Sequence, residues 1–548
     1  MEKVNVTING IPYEYDKDTI LYDISKDFQK DYDRPILFAV IDNEIQELYK
    51  KVKKDCEIKF ITMKDRAGNF IYKKGLIFLL YTAFVELFGY EHKIRVCHSI
   101  DKAIKIETNL SLSKEILESI KNKMNDLVKE DAVIEKCLVK RKEAQKYFNN
   151  IRDYNKADSF LYVTNHFVNL YKIHDVYNYL FSDMPHTTGV FVSFDLEYLD
   201  NHTFLLKFPL YNDYEIPEYT DRPKIEKAFQ EHHKLNSSFN IRTSSDLNKV
   251  VSEGNINSLI KLSEVTSSNK LLRIAEKIAK NSNIKLVLLA GPSSSGKTTT
   301  AKKLALYLKS FGLNPKQLSM DNYFVERKDT PKLENGDYDF ESVNAIDIEL
   351  FNNHLTKLLN GEEVETPTFD FYSGKKKYLK TYLKLEENDI LIIEGLHAIN
   401  ETLTSSISKD RKFKVYVSPL LDLNIDDLDS ISTTDLRLLR RIIRDNRTRG
   451  YSAIETLKLW QNVRAGEEKN IFPHQEEVDE VYNTGLIYEI GVLKLYALPL
   501  LYQIRPDSEY YESVRKLIRF LDMFLCIPSD SVPEESILRE FIGNSFFE

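Results

Sequence analysis

The chain is poor in cysteine. Its 548 residues hold four, Cys56, Cys97, Cys137 and Cys526, far apart and with no CxxC pair. That excludes a disulfide framework and a zinc ribbon and suits a reducing compartment. Long hydrophobic runs are missing as well. The closest stretch, Gly75 to Gly89, carries Glu86 and falls short of the roughly 20 residues that span a bilayer, so it reads as a buried helix. The start, Met1-Glu2-Lys3-Val4-Asn5, lacks the apolar core of a signal peptide. Positive charge is not in excess either: 76 Lys and Arg stand against 84 Asp and Glu, a net charge of −8. Acidic residues also outnumber basic ones in residues 1–66, so the basic footprint of a nucleic-acid binder is absent there. No internal repeat is visible. What remains is a 42% hydrophobic chain, long enough for several domains at about 150 residues each. We expect a cytoplasmic protein without a membrane or nucleic-acid partner.

In the first 65 residues, Val4, Val6 and Ile8 alternate with polar neighbours, Asn9-Gly10 supplies a hairpin turn, and Tyr13 and Tyr15 continue on a second strand. Asp18 or Thr19 can cap a helix carrying Ile20, Leu21 and Ile24, and Ile36–Ile41 and Ile58–Met63 read as strands. This order resembles the β-grasp TGS domain at the front of threonyl-tRNA synthetases. Helices are expected at Leu76–Phe88 and Ser113–Lys129, and β structure at Gly189–Leu196 and Phe204–Phe208. The stretch Met184-Pro185-His186-Thr187-Thr188-Gly189-Val190 resembles the second, editing-type domain of the same synthetases. The HxxxH pair of such domains is absent around His98, so His98 and His186 are read as relics or small-molecule contacts, without metal or hydrolysis. Residues 243–269 are rich in Ser and Asn and read as a linker.

The strongest signal is Gly291-Pro292-Ser293-Ser294-Ser295-Gly296-Lys297-Thr298, a complete GxxxxGK[ST]. It follows the apolar run Lys285–Ala290 and precedes helical spacing over Thr298–Leu308, the context a phosphate-binding loop requires. Glycines let backbone N–H groups, here those of Gly291, Ser293, Ser294, Ser295, Gly296 and Thr299 among them, turn toward phosphate oxygens at a helix start. Lys297 can reach the outer phosphates, and the Thr298 hydroxyl can ligate Mg²⁺.

Two strand-like runs downstream end in acids. Asp321 follows Leu318-Ser319-Met320, and Glu394 ends Asp389-Ile390-Leu391-Ile392-Ile393. Open α/β sheets bind ligands at such strand ends. An acid there can take a proton from an attacking hydroxyl or join a magnesium shell. Arg437, Arg440, Arg441 and Arg444 then recur on one helical face, with Arg447, Arg449 and Gly450 just beyond. This pattern suggests a lid that closes over the transferring phosphate.

The ordered set Gly291–Thr299, Ser319–Phe324, Tyr338–Glu341, Pro367–Phe371, Ile393–Gly395 and Arg440–Asp445 resembles the uridine-cytidine kinase family, P-loop kinases related to phosphoribulokinase. The resemblance spans roughly Ile284 to Val492. It implies an ATP- and Mg²⁺-dependent kinase acting on the 5′-hydroxyl of a nucleoside. Asp321 would be the catalytic base, with Lys297, Arg444 and Arg449 on phosphates and Thr298 and Glu394 on the metal. Glu341, Phe369, Phe371 and Arg441 would form the substrate pocket. Glu341 stands where the family has Asp, Phe369 where it has Tyr, Gly374 where a His reads the base, Tyr451 where it has Arg, and Leu459 where it has Gln. Kinase action on another small alcohol therefore stays open, as does a tRNA-associated regulator that uses the loop as a nucleotide sensor. The expected architecture is α/β: a TGS-like β-grasp domain (1–65), a synthetase-like α+β domain (66–250), and a P-loop kinase domain (265–548) with a parallel sheet and helices on both faces. Assembly of identical chains, as in related kinases, is left open.

Overall fold

The computed structural model describes residues 2–548 except 212, 334, 335, 371 and 372. Near the start, Lys3–Ile8 and Ile11–Asp16 pair antiparallel with Ile8 opposite Ile11. Asn9 and Gly10 both take positive φ (52° and 79°), as a tight hairpin turn demands. These strands join Ile36–Ile41, Glu44–Glu47 and Cys56–Thr62 in one mixed sheet, with Lys3–Ile8 parallel to Cys56–Thr62. The strand Glu44–Glu47 was not foreseen, because its residues are mostly polar. The helix Leu21–Phe28 buries Leu21, Ile24 and Phe28 against this sheet. Ile20 occupies its cap position without a side-chain bond, so neither Asp18 nor Thr19 caps it.

The apolar stretch expected to be a buried helix belongs to α1 (Arg66–Phe88), where Leu76, Phe78, Leu79, Leu80 and Phe84 have no exposure. It packs with a second helix, Lys114–Glu130, and with an antiparallel sheet formed by Ile94–Ile100, Ala103–Thr108, Thr203–Lys207 and Asp195–Tyr198. Only the end of the expected strand at Gly189–Leu196 is extended; Thr188–Val190 is a 3₁₀ turn.

The linker expected over 243–269 is overturned. After α2 (Pro223–Ser238), helices α3 (Ser244–Ser252) and α4 (Ile256–Ala279) occupy the region. Thr243 and Asp246 form a reciprocal capping box at the start of α3. Leu259, Ile260, Leu271, Ile274 and Ile278 repeat at helical spacing and are buried. The Ser and Asn residues that suggested a loop sit at caps and polar faces.

The largest sheet is wholly parallel. Its strands β1 (Leu286–Ala290), β2 (Asn314–Ser319), β3 (Asp389–Glu394), β4 (Lys412–Ser418) and β5 (Glu480–Asn483) lie in the order β2-β3-β1-β4-β5. Every residue of β1 is buried, and alternate residues serve different layers. Val287 and Leu289 pack with α4, with α5 (Lys297–Ser310) and with α6 (Thr433–Arg449). Leu286, Leu288 and Ala290 join the cluster on the other side, to which Ile225, Ala228 and Phe229 of α2 also belong. The helix α7 (Ala453–Asn470) follows α6. Two later helices, α8 (Tyr511–Asp522) and α9 (Arg539–Ile542), return against this half. No helix among the described residues is long and apolar enough to cross a membrane.

Candidate active site

The parallel register determines which groups meet. Leu289, next to the end of β1, lies opposite Glu394 of β3, and Ser319 of β2 also lies opposite Glu394. The loop after β1, the acid at the end of β3 and the turn Met320–Tyr323 after β2 therefore share one edge.

Two glycines let the phosphate loop close. A Cβ at Gly291 would stand 2.0 Å from the Val417 carbonyl oxygen of β4, and Gly296 has a φ of 88° at the start of α5. The outside of the loop is tied to the protein. Arg437 donates to the Ser293 carbonyl at 3.1 Å, and the Thr484 hydroxyl to the Ser295 carbonyl at 2.6 Å. The Ser293 N–H donates to Glu467 at 2.8 Å. Lys297 folds back across the mouth and donates to the carbonyls of Gly291 (2.8 Å) and Pro292 (3.1 Å). Burial pulls its pKa down, while Glu394, Asp321 and Glu540 favour its charge. Thr298 is exposed at the mouth.

Asp321 faces solvent in the cleft but is ringed by protein, and this crowding raises its pKa against the pull of Lys297, Arg449 and Arg444. Glu394 accepts from the Ser319 hydroxyl at 2.8 Å. Burial, followed by repulsion from Asp321, lifts Glu394 to about 7. The oxygen-only donors Thr298 and Glu394 suit Mg²⁺, which completes its shell with water and phosphate. Among the described residues no group of three His, Cys, Asp or Glu forms a metal cage by itself.

Glu341 approaches from the segment after Tyr338. It fits because position 466 of α7 is glycine: a Cβ there would lie 2.1 Å from that of Glu341. Its Oε2 is buried without a hydrogen-bond partner. Burial and the nearby Glu467 push its pKa up to about 8. Against its backbone lies His397, which sequence reasoning missed. This ring is buried, neither nitrogen has a partner of good geometry, and burial lowers its pKa to about 4. Phe369 sits in the apolar cluster, 5.6 Å from Phe324 between ring centres. Phe371 lies outside the described residues. Gly374 has a φ of 66°, and a Cβ there would meet Arg327 at 2.7 Å.

The arginines of α6 share a face, and its first two members are buried in ion pairs. Arg437 is buried in a pair with Glu467 (2.5 Å), and Arg440 in a pair with Glu489 (2.7 Å). Leu436, Leu439, Ile442 and Ile443 anchor the helix in the core. Gly450 ends it, with a φ of 70°. Arg441 donates to the Ser293 hydroxyl at 2.9 Å. The buried Asp445 gathers Arg441 (3.1 Å), Arg444 (3.3 Å) and Arg449 (3.1 Å). Its position four residues from both Arg441 and Arg449 was the available signal.

A second group had no signal at all. Glu540 of α9 accepts from the Thr299 hydroxyl at 2.7 Å and from its N–H at 3.3 Å, and lies 3.9 Å from Arg444. A carboxylate thus sits on the start of α5.

The profile of the phosphoribulokinase / uridine kinase family matches residues 286–485. The uridine kinase of Staphylococcus haemolyticus is 31% identical over 182 residues, which are 33% of this chain and 78% of that protein. That of Mycoplasma genitalium is 30% identical over 180 residues, 33% of this chain and 75% of that protein. The inorganic pyrophosphatase TTM2 of Arabidopsis thaliana is 32% identical over 178 residues, 32% of this chain and 22% of that protein.

Proposed function

The chain belongs to the phosphoribulokinase / uridine kinase family and is a phosphotransferase with an alcohol acceptor, and from that premise we propose that it transfers the γ-phosphoryl group of ATP to the 5′-hydroxyl of a uridine- or cytidine-like nucleoside. The observation that carries this reading is the shared edge of β1, β2 and β3, where Lys297, Asp321 and Glu394 perturb one another's ionisation.

In this reading the loop N–H groups receive the donor phosphates, and Lys297 leaves its carbonyl partners to meet them. Arg444 and Arg449, held by Asp445, add positive charge on the opposite side. Thr298 and Glu394 would hold Mg²⁺, which supplies neutralising charge to the phosphates when bound. Asp321 orients the acceptor hydroxyl and takes its proton; the raised pKa brings its basicity closer to the task. Glu341, with an unpartnered oxygen, and the neutral His397 beside it offer polar contacts for the acceptor's hydroxyls or ring. Arg441, Phe369 and Phe371 complete the proposed pocket. Much of the catalysis is then positioning and electrostatics.

Gly374, with no room for the base-reading side chain of the family, favours a second reading: a different small alcohol as acceptor. Residues 1–65 and 66–250 are proposed to be the TGS-like and synthetase-like units, ahead of the kinase unit at 265–548. ADP release with uridine, cytidine, other nucleosides and small alcohols separates the two acceptor readings. Asp321→Asn is expected to slow the preferred reaction about 10²- to 10⁴-fold; near-normal turnover would remove the assigned base.

A further inference from the structure

A cavity of about 240 Å³ opens away from the phosphate loop, where α1 and the strand Ile94–Ile100 face the start of α6 and one side of α8. Three lysines line it. Lys74 is paired with Asp429, and Lys516 with Asp435 at 3.0 Å. Lys73 has only the Ser99 hydroxyl, at 3.1 Å, and among the described residues it makes no ion pair. Burial, with Lys74 close by, draws its pKa down to about 8. The half-buried ammonium feels Asp429 and Asp435 without an ion pair to either, so it keeps capacity to receive a bound anion.

The other groups of the cavity favour a particular anion. The helix α6 begins here with Ser432 as its cap, so first-turn N–H groups with no partner inside the helix adjoin the hydroxyls of Ser430, Thr433 and Thr434. One cation, helix-start amides and several hydroxyls match the three terminal oxygens of a phosphate better than a planar carboxylate. Much of the remaining wall is apolar: Phe70, Phe181, Phe229 and Phe520, with Leu421, Ile425 and Ile431. His98 lies flat on Phe229, with ring centres 3.8 Å apart and planes within 4°, and is fixed by Glu226 at 3.0 Å. Such a wall accepts a planar ring. The volume lies below the usual range for drug-sized ligands and admits only a small molecule.

We propose that this cavity is a second binding site, for a phosphomonoester carrying a planar ring, with the phosphate between Lys73 and the start of α6 and the ring against the phenylalanines. The site is independent of the acceptor assigned above. It draws on both halves of the chain, since Lys73 and His98 come from the front and α6 from the catalytic sheet.

The test is calorimetric titration of the full chain with phenyl phosphate and adenosine 5′-monophosphate, the phosphate loop being filled with a non-hydrolysable ATP analogue. Inorganic phosphate serves as the ringless arm. At least one ring-bearing probe is expected to bind at one site per chain, at least tenfold more tightly than inorganic phosphate. Lys73→Met should weaken that binding tenfold or more while leaving ADP release unchanged. Failure of both ring probes to bind, equal binding by the Lys73→Met protein, or equal affinity for inorganic phosphate would each overturn the proposal.

Discussion

Replacing Glu540 by alanine should tighten the binding of ATP. In the proposed function the loop N–H groups and the start of α5 receive the donor phosphates, yet the Thr299 N–H and hydroxyl are already engaged by the Glu540 carboxylate at 3.3 and 2.7 Å. A triphosphate arriving there must displace one anion with another. Hydrogen bonds to a charged group contribute about 1.5–3 kcal/mol each. One of these two is long and the site is partly hydrated, so displacement is set at roughly 1.5–3 kcal/mol in all. At 1.4 kcal/mol per tenfold, that predicts a Kd for ATP lower by about 10- to 100-fold in Glu540→Ala. Glu540→Gln keeps an acceptor but loses the charge, and should fall between. Calorimetric titration of ATP into the full chain without acceptor reads this directly. An unchanged or weaker affinity in Glu540→Ala would show that phosphates do not compete for the Thr299 groups.

Glu341 predicts a pH-dependent stability. Its pKa rises from 4.5 to about 8 on folding, so the folded chain binds more protons between those values and loses stability as pH climbs through them. Glu341→Gln should therefore match the parent near pH 5 and exceed it increasingly toward pH 8, by on the order of a few kcal/mol; parallel melting temperatures across that range would contradict the assigned burial. Arg440 and Glu489 are paired with no side-chain exposure, and Arg440→Met alone should cost about 3–5 kcal/mol by stranding the acid, whereas Arg440→Met with Glu489→Gln should recover most of it. A single variant within about 1 kcal/mol of the parent in denaturant unfolding would argue against the brace.

What could be read from the residues alone was local. The loop Gly291–Thr298, the acids at the ends of two strands, the turn at Asn9-Gly10 and the spacing of the α6 arginines are written in short stretches with fixed periods, and each lies where its pattern placed it. The fate of the arginine face was not local. Arg437 and Arg440 are interior because Glu467 and Glu489, on two later helices, come back to meet them. The same holds for Glu540, brought to α5 by the final helix, and for His397, a lone histidine whose surroundings only the folded chain defines. The misread stretch at 243–269 shows the limit of composition: Ser and Asn signal loops on average, but the buried aliphatic spacing within α4 outweighs them.

The helix α2 has a practical consequence for anyone who wishes to isolate the catalytic portion. The stretch that aligns with other kinases starts at residue 286, but Ile225, Ala228 and Phe229 belong to the apolar cluster on one side of the parallel sheet, and Leu259, Ile260, Leu271 and Ile274 to the cluster on the other. A fragment cut at the edge of the alignment, or even at residue 269, would bare a sheet that natural folding always clothes, and would precipitate rather than report on chemistry. A fragment meant to keep these clusters whole would begin at Pro223, ahead of the proposed 265–548 boundary, because residues 225–278 share the apolar layers of the parallel sheet.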